Sequence, residues 1–330
     1  MLTAIYLVGG LILILAAAEF FTNGVEWLGK KLNLSEGAVG SVLAAVGTAL
    51  PESLIPVIAI LFGSSEASHE IGIGAILGAP FMLATLAMAV TGIAALICHI
   101  NGRKRSHMLI NPEIAHRDLR YFLVVYALAI LASFLPWHWL KVVVALALVA
   151  AYIIYAYLTI KSGKSLEDSE LNPLYFAKKQ ADPALKLVVL QVIAALAAII
   201  IGAKIFVIGL EDLASYLGIS AFILAVFITP IATELPEKFN SVIWIRQGKD
   251  TLALGNITGA MVFQSSILPA IGILLTPWTL EGYALINAIL ALAAAGTLCM
   301  VLRFKKMVKP ALLTSMGLLY LLYILIVVIS

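Results

Sequence analysis

Charged side chains are scarce in this 330-residue chain: Asp, Glu, Lys and Arg together make up only 12% of it. Beside 62% hydrophobic residues and a mean hydropathy of +1.07, that scarcity excludes a water-soluble globule, whose core has no room for so much apolar surface. Cysteine is nearly absent. Cys98 and Cys299 fall in or at the end of apolar runs, which leaves no disulfide or zinc framework and makes packing their simplest role. The net charge of +3 is too small to imply a nucleic-acid partner. His69, His99, His107, His116 and His138 lie in or near loops, and none is assigned to a site. A large polar segment is missing too. The stretch Lys161 to Pro183, with both signs of charge and Pro173, suits a solvated linker with one surface helix and is too short for a regulatory domain.

What the chain does have is apolar runs long enough to cross a bilayer, which takes roughly 20 residues for about 30 Å of hydrocarbon. Ten such spans are expected, at approximately 2–22, 36–62, 71–98, 121–136, 139–160, 187–209, 219–245, 253–275, 282–302 and 311–329. The first follows Met1 almost directly and leads into Glu19 and Asn23, with no basic n-region and no small-residue cleavage site, so a retained helix is expected and not a signal peptide. Alternate loops carry 18 of the 21 Lys and Arg residues, among them Arg103, Lys104, Arg105, Arg117 and Arg120, while the intervening loops hold Glu66, Glu70, Glu211, Asp212 and Glu281. By the positive-inside rule the basic loops face the cytoplasm and both termini lie outside. A compact, short-looped chain of this kind is expected in a prokaryotic plasma membrane.

Two acidic residues stand inside the apolar runs in matching surroundings. Gly47-Thr48-Ala49-Leu50-Pro51-Glu52 recurs as Ala232-Thr233-Glu234-Leu235-Pro236-Glu237, an offset of 185 that also lays Gly24-Val25-Glu26 on Gly209-Leu210-Glu211 and Leu34-Ser35 on Ile219-Ser220. After a small loop difference the offset becomes 181 and pairs Gly74 to Ala79 with Gly255 to Ala260. The chain is therefore an internal repeat: residues 1–160 form a first five-helix half, 161–183 a cytoplasmic linker and 184–330 a second half. Five spans is an odd number, so the second copy enters the membrane from the opposite side. Inverted repeats with a site on discontinuous helices near the midplane are characteristic of secondary transporters. The fold class expected is an all-α integral membrane protein of ten transmembrane helices, arranged as two inverted five-helix repeats.

The prolines give the acids a chemical setting. Pro51 and Pro236 each remove a backbone donor and crowd the preceding turn, which frees carbonyls around Val46 to Thr48 and around Ile231 to Thr233 as cation ligands. An acid at membrane depth is costly and is read first as an ion or proton site. Glu52 and Glu237 supply two negative charges, which match a divalent cation; Thr48 and Thr233, four residues before them on the same helical face, add oxygens. Glu234 is open between a ligand and a gating or salt-bridge role, with Lys238 as an internal neutraliser. Gln264, Ser265, Ser266, Asn256 and Thr258 are open between cavity lining and helix packing. Glu19 and Lys204, related by the same offset, are expected to belong to a structural ion pair.

At these residues the chain resembles the cation/Ca²⁺ antiporter superfamily, the sodium/calcium and cation/proton exchangers. Their two repeats carry a G-[TN]-[SA]-x-P-E element followed by a glycine-rich helix, matched here at Gly47 to Glu52 and Ala232 to Glu237, then at Gly255 to Gly259 and more weakly at Gly74 to Gly78. The resemblance implies alternating access, with two short helices rocking past a site at which Glu52 and Glu237 bind Ca²⁺ with help from Thr48 and Thr233. The chain departs from the sodium-using pattern: Ala49 and Glu234, Ala79 and Ala260, then Leu83 and Gln264 stand where serines and an Asn or Asp are usual, and Pro80 interrupts the third span. Those departures deplete separate sodium sites and shift the expected counter-ion toward H⁺, although Ser53 and Lys238 occupy the positions where proton-coupled members often carry histidine. The metal ions are substrates and no resident cofactor is expected; the partners are those ions and the lipid bilayer, and the chain is expected to act as a monomer. A sodium/calcium exchanger of the same fold is the alternative. From other classes, a cation channel or an intramembrane hydrolase would leave the inverted copies unexplained.

Overall fold

The computed structural model describes residues 2–32, 44–63, 65–98, 107–162 and 171–329, and within these it leaves out the side chains of 44–51, 160, 162, 235–237 and 239. Every regular element among the described residues is helical, and none is a strand. The helices are α1 (Leu2–Lys31), α2 (Ala44–Phe62), α3 (Glu66–Met82), α4 (Met88–Ile97), α5 (Pro112–Ala132), α6 (His138–Ser162), α7 (Leu185–Leu217), α8 (Ala221–Thr233), α9 (Leu235–Arg246), α10 (Asp250–Leu275), α11 (Gly282–Lys305) and α12 (Pro310–Ile329). Seven of the helical stretches are long and apolar enough to cross a membrane. Their outward residues, such as Ile12 at 62% exposed and Leu321 at 60%, are apolar, as a lipid-facing surface requires.

The seven are fewer than the ten expected spans, for local reasons. The run 121–136 lies in α5 only as far as Ala132, and the first turns of that helix carry Glu113, Arg117, Asp118 and Arg120; the run 219–245 is cut at Glu234 into α8 and α9; and the run 36–62 is described only from Ala44. Pro80 does not break its helix. Instead α3 passes through a π-helical segment, Leu83–Ala87, into α4, and Thr85 Oγ1 donates to the carbonyl of Phe81 there. A π-segment inside an α-helix absorbs one extra residue and often marks a functional position.

The chain divides into two compact units, each drawing on both halves of the sequence: residues 1–68 with 153–219, and residues 69–152 with 220–330. In the first, α1 and α7 run antiparallel in close contact. A Cβ built on Gly10 would meet the backbone of Phe206 at 2.8 Å, and one on Gly209 would meet Leu7 N at 3.0 Å, so both glycines are needed for the approach. The segment from Leu171 onward is docked, not merely solvated as expected. Trp27 Nε1 donates to Asn172 O at 2.9 Å, Phe176 N donates to Gln191 Oε1 at 2.9 Å, and Leu174 and Ala177 join Trp27 and Val188 in a small core. Glu19 accepts from the Tyr175 hydroxyl at 2.5 Å, and Lys204 is exposed on α7; the expected pairing is replaced by this linker contact.

In the second unit α3 lies against α8 at two glycines. Cβ atoms on Gly74 and Gly78 would fall 2.6 Å from Phe222 O and 2.5 Å from Val226 O. Glu70 Oε2 fixes the start of α8 by accepting from Ser220 Oγ at 2.9 Å and Phe222 N at 3.1 Å. The turn between α10 and α11 is held by Trp278, fully buried at φ 47°, whose indole donates to Ala129 O at 2.8 Å while Lys141 Nζ donates to Pro277 O at 2.6 Å.

Candidate cation site

The second unit holds a broken helix at the second copy of the motif. α8 ends at Thr233, α9 begins at Leu235 with Pro236 in its first turn, and Glu234 is the residue between them. Proline at the start of a helix costs no hydrogen bond, since its missing N–H is one of the donors that a helix end leaves without a partner. The chain therefore turns here with little penalty, and Glu234 N still donates to Pro230 O at 2.9 Å while Lys238 N donates to Glu234 O at 3.1 Å. Glu234 is fully buried. Its Oε1 accepts the amide Nε2 of Gln264, fully buried on α10, at 2.5 Å. Two residues left open by the sequence, Glu234 and Gln264, thus meet.

Thr233 is fully buried, but its hydroxyl donates back to Thr229 O at 3.0 Å within α8. Thr229, which sequence reasoning passed over, is 2% exposed with a hydroxyl that finds no hydrogen-bond partner among the described residues. Lys238 is also buried. The polar residues of α10 sort differently from the open expectation. Ser265 and Ser266 donate to Val262 O in their own helix; Asn256 donates to Ser241 Oγ on α9; Thr258 donates to Asp118 Oδ2 on α5 at 2.9 Å. Asn256 and Thr258 thus tie α10 to its neighbours, while Ser265 and Ser266 bond within it. Asp118 was not singled out in the sequence because it lies beside Arg117 in a basic segment, yet it is buried and accepts from Arg117 at 3.0 Å as well.

In the first unit Glu52, on α2, is 6% exposed. α2 runs unbroken from Ala44 to Phe62, so its backbone does not show the interruption expected at Pro51. The side chains of Thr48 and Glu237 lie outside the described residues. Among the described residues no cluster of three or more His, Cys, Asp or Glu forms a metal centre.

Buried, apolar-flanked glutamates thus stand in both copies of the duplicated motif, Glu52 in the first and Glu234 in the second. The family model described as sodium/calcium exchanger protein matches residues 2–161 and 187–330. The chain belongs to the sodium/calcium exchanger family. That family is one of membrane transporters, and the chain is a membrane exchanger of it. Among relatives, an uncharacterized membrane protein of Methanocaldococcus jannaschii is 26% identical over 261 residues, covering 78% of this chain and 76% of its own length. Among solved structures, the H⁺/Ca²⁺ exchanger CAX superposes with a TM-score of 0.74 at 16% identity, over 99% of this chain and 86% of the other. The sodium-calcium exchanger NCX_Mj, in crystals soaked with Na⁺ and Sr²⁺, gives 0.58 at 21% identity over 98% and 99%. At such identities the two structures are evidence of shared fold.

Proposed function

We propose that this exchanger is a secondary active antiporter that carries a divalent cation, Ca²⁺ by preference, against H⁺ by alternating access. The observation that carries the reading is the burial of glutamates in both copies of the duplicated motif: Glu52 in the first, and Glu234 at the helix break of the second. Glu52 and Glu237 are the paired carboxylates for the ion, Thr48 and Thr233 add oxygens, and Glu234 and Gln264 are further ligands. Two carboxylates in low dielectric hold protons or a dication but resist standing empty and doubly ionised. Competition for one site then couples the two fluxes, because only the loaded site crosses.

The ten-span, inverted-repeat arrangement belongs to the same reading, with residues 1–160 and 184–330 as the halves and both termini outside. It is supported by the antiparallel packing of α1 on α7, the two helices that the 185-residue offset relates. Their grouping in a compact unit with α2 is what a moving element needs. H⁺ is preferred to Na⁺ because Ala49, Ala79, Leu83 and Ala260 bring no oxygen where extra small-cation ligands are needed. The test is uptake of ⁴⁵Ca²⁺ into proteoliposomes under an outward H⁺ gradient and then an outward Na⁺ gradient. The account expects uptake driven by H⁺; uptake driven by Na⁺ alone identifies the sodium/calcium alternative, and flux without either gradient identifies a channel.

A further inference from the structure

At the end of the second unit where α5 begins and α11 finishes, a groove runs between these two helices. They are antiparallel there, with Cys299 Sγ 3.5 Å from His116 Nδ1 and a Cβ on Gly296 4.0 Å from Leu123. Two adjoining cavities of about 420 and 560 Å³ open on the groove and share His116 and Arg120. One end is cationic, lined by His116, Arg120 and Arg303; the other is apolar, lined by Leu123, Gly296 and Met300. Among the described residues neither Arg120 nor Arg303 has a carboxylate within ion-pair distance, whereas Arg117 beside them is committed to Asp118. Glu113 also borders the second cavity and is the acid that any anion there must tolerate. Two of the lining residues are apolar and outward: Val124 is 60% exposed and Met300 64%.

Such a groove has two halves with different needs. Guanidinium forks match phosphate oxygens in shape as well as charge, and basic pockets between transmembrane helices suit anionic lipid headgroups. A soluble anion would use only the cationic half, while a phospholipid uses both. We propose that this groove is a binding site for one anionic phospholipid, its phosphate held by Arg120, Arg303 and His116 and an acyl chain lying along Leu123, Gly296 and Met300. The space for that chain is open beside Gly296, where a Cβ would meet only Leu123, at 4.0 Å. The site rests on the chain spanning a membrane and is independent of which ion is carried.

The experiment is native mass spectrometry of the full chain in detergent, with phosphatidylglycerol or phosphatidylcholine added at equal concentration. The native protein retains phosphatidylglycerol in preference. Each cation near an anionic headgroup is worth on the order of fivefold in affinity, so Arg120→Gln with Arg303→Gln lowers retention roughly twentyfold, while Arg246→Gln with Lys249→Gln, an equal loss of charge elsewhere, leaves it unchanged. Gly296→Leu keeps every charge, fills the apolar half and also displaces the lipid, which decides the matter should the arginine variant fold poorly. Equal retention of the two lipids, equal loss in both charge variants, retention by Gly296→Leu, or displacement of phosphatidylglycerol by excess inorganic phosphate overturns the proposal.

Discussion

Gln264 on α10 donates its side-chain amide to the Glu234 carboxylate at the junction of α8 and α9, joining two fully buried residues 30 positions apart across 2.5 Å. Removing the donor while leaving the acid forces a buried oxygen to lose its partner, which costs about 1–3 kcal/mol. Gln264→Leu is expected to lower the melting temperature in detergent by that measure and to weaken apparent Ca²⁺ affinity. Gln264→Asn, with a shorter reach, falls between it and the native chain.

Gly74 and Gly78 allow α3 to touch the backbone of α8. An alanine at either position places a methyl group within 2.6 Å of Phe222 O or 2.5 Å of Val226 O, and the helices must part to admit it. Gly74→Ala and Gly78→Ala are each expected to cost about 1–3 kcal/mol. Gly255 has nothing within 4 Å of its Cβ, and Gly255→Ala is the matched comparison, with a change well below either, read by thermal unfolding.

Asp118 joins α5 to α10 by accepting from Thr258 at 2.9 Å and from Arg117 at 3.0 Å. Asp118→Ala removes the acceptor that Thr258 and Arg117 share and is expected to destabilise by about 1–3 kcal/mol, with Thr258→Val costing less because it removes one bond and leaves the Arg117 pair in place. Urea-induced unfolding of the two variants and their double mutant measures the coupling.

The linker is tied to α1 by the exposed Lys31–Asp182 ion pair, and the Lys31 ammonium holds the Asp182 carboxyl below the usual carboxylate range. A carboxyl lowered in the folded state stabilises it above the ordinary carboxylate pKa, and loses that contribution as pH falls through the lowered value. Acidification below the usual range is therefore expected to release this contact, and the pair is weak because it is exposed. Hydrogen exchange at residues 178–182 across the acid range checks it, with Asp182→Asn expected to show no such step.

Much of this organisation was legible in the sequence because membrane solvent imposes one-dimensional rules. Apolar run length gave α1, α7 and α10 to α12, and the duplicated motif pointed to Glu52, Thr233 and Glu234, all of which are buried. What escaped depends on partners distant in the chain. Asp118 looked like one more solvated charge until Thr258 was seen to face it, Tyr175 displaced Lys204 as the partner of Glu19, and Ser265 and Ser266 turned to their own helix. Proline was also ambiguous. Pro236 sits just past a break, whereas α2 continues through Pro51, so the same residue type in matching motifs left the backbone undecided.

The central claim is that the duplicated glutamates carry the ion, and ⁴⁵Ca²⁺ uptake into proteoliposomes under an imposed H⁺ gradient tests it most directly. Glu52→Gln and Glu237→Gln each remove one of the two charges while keeping the side-chain size. The account predicts that each abolishes gradient-driven uptake while the variants elute and melt as folded protein. Uptake at the native rate by either variant would contradict it.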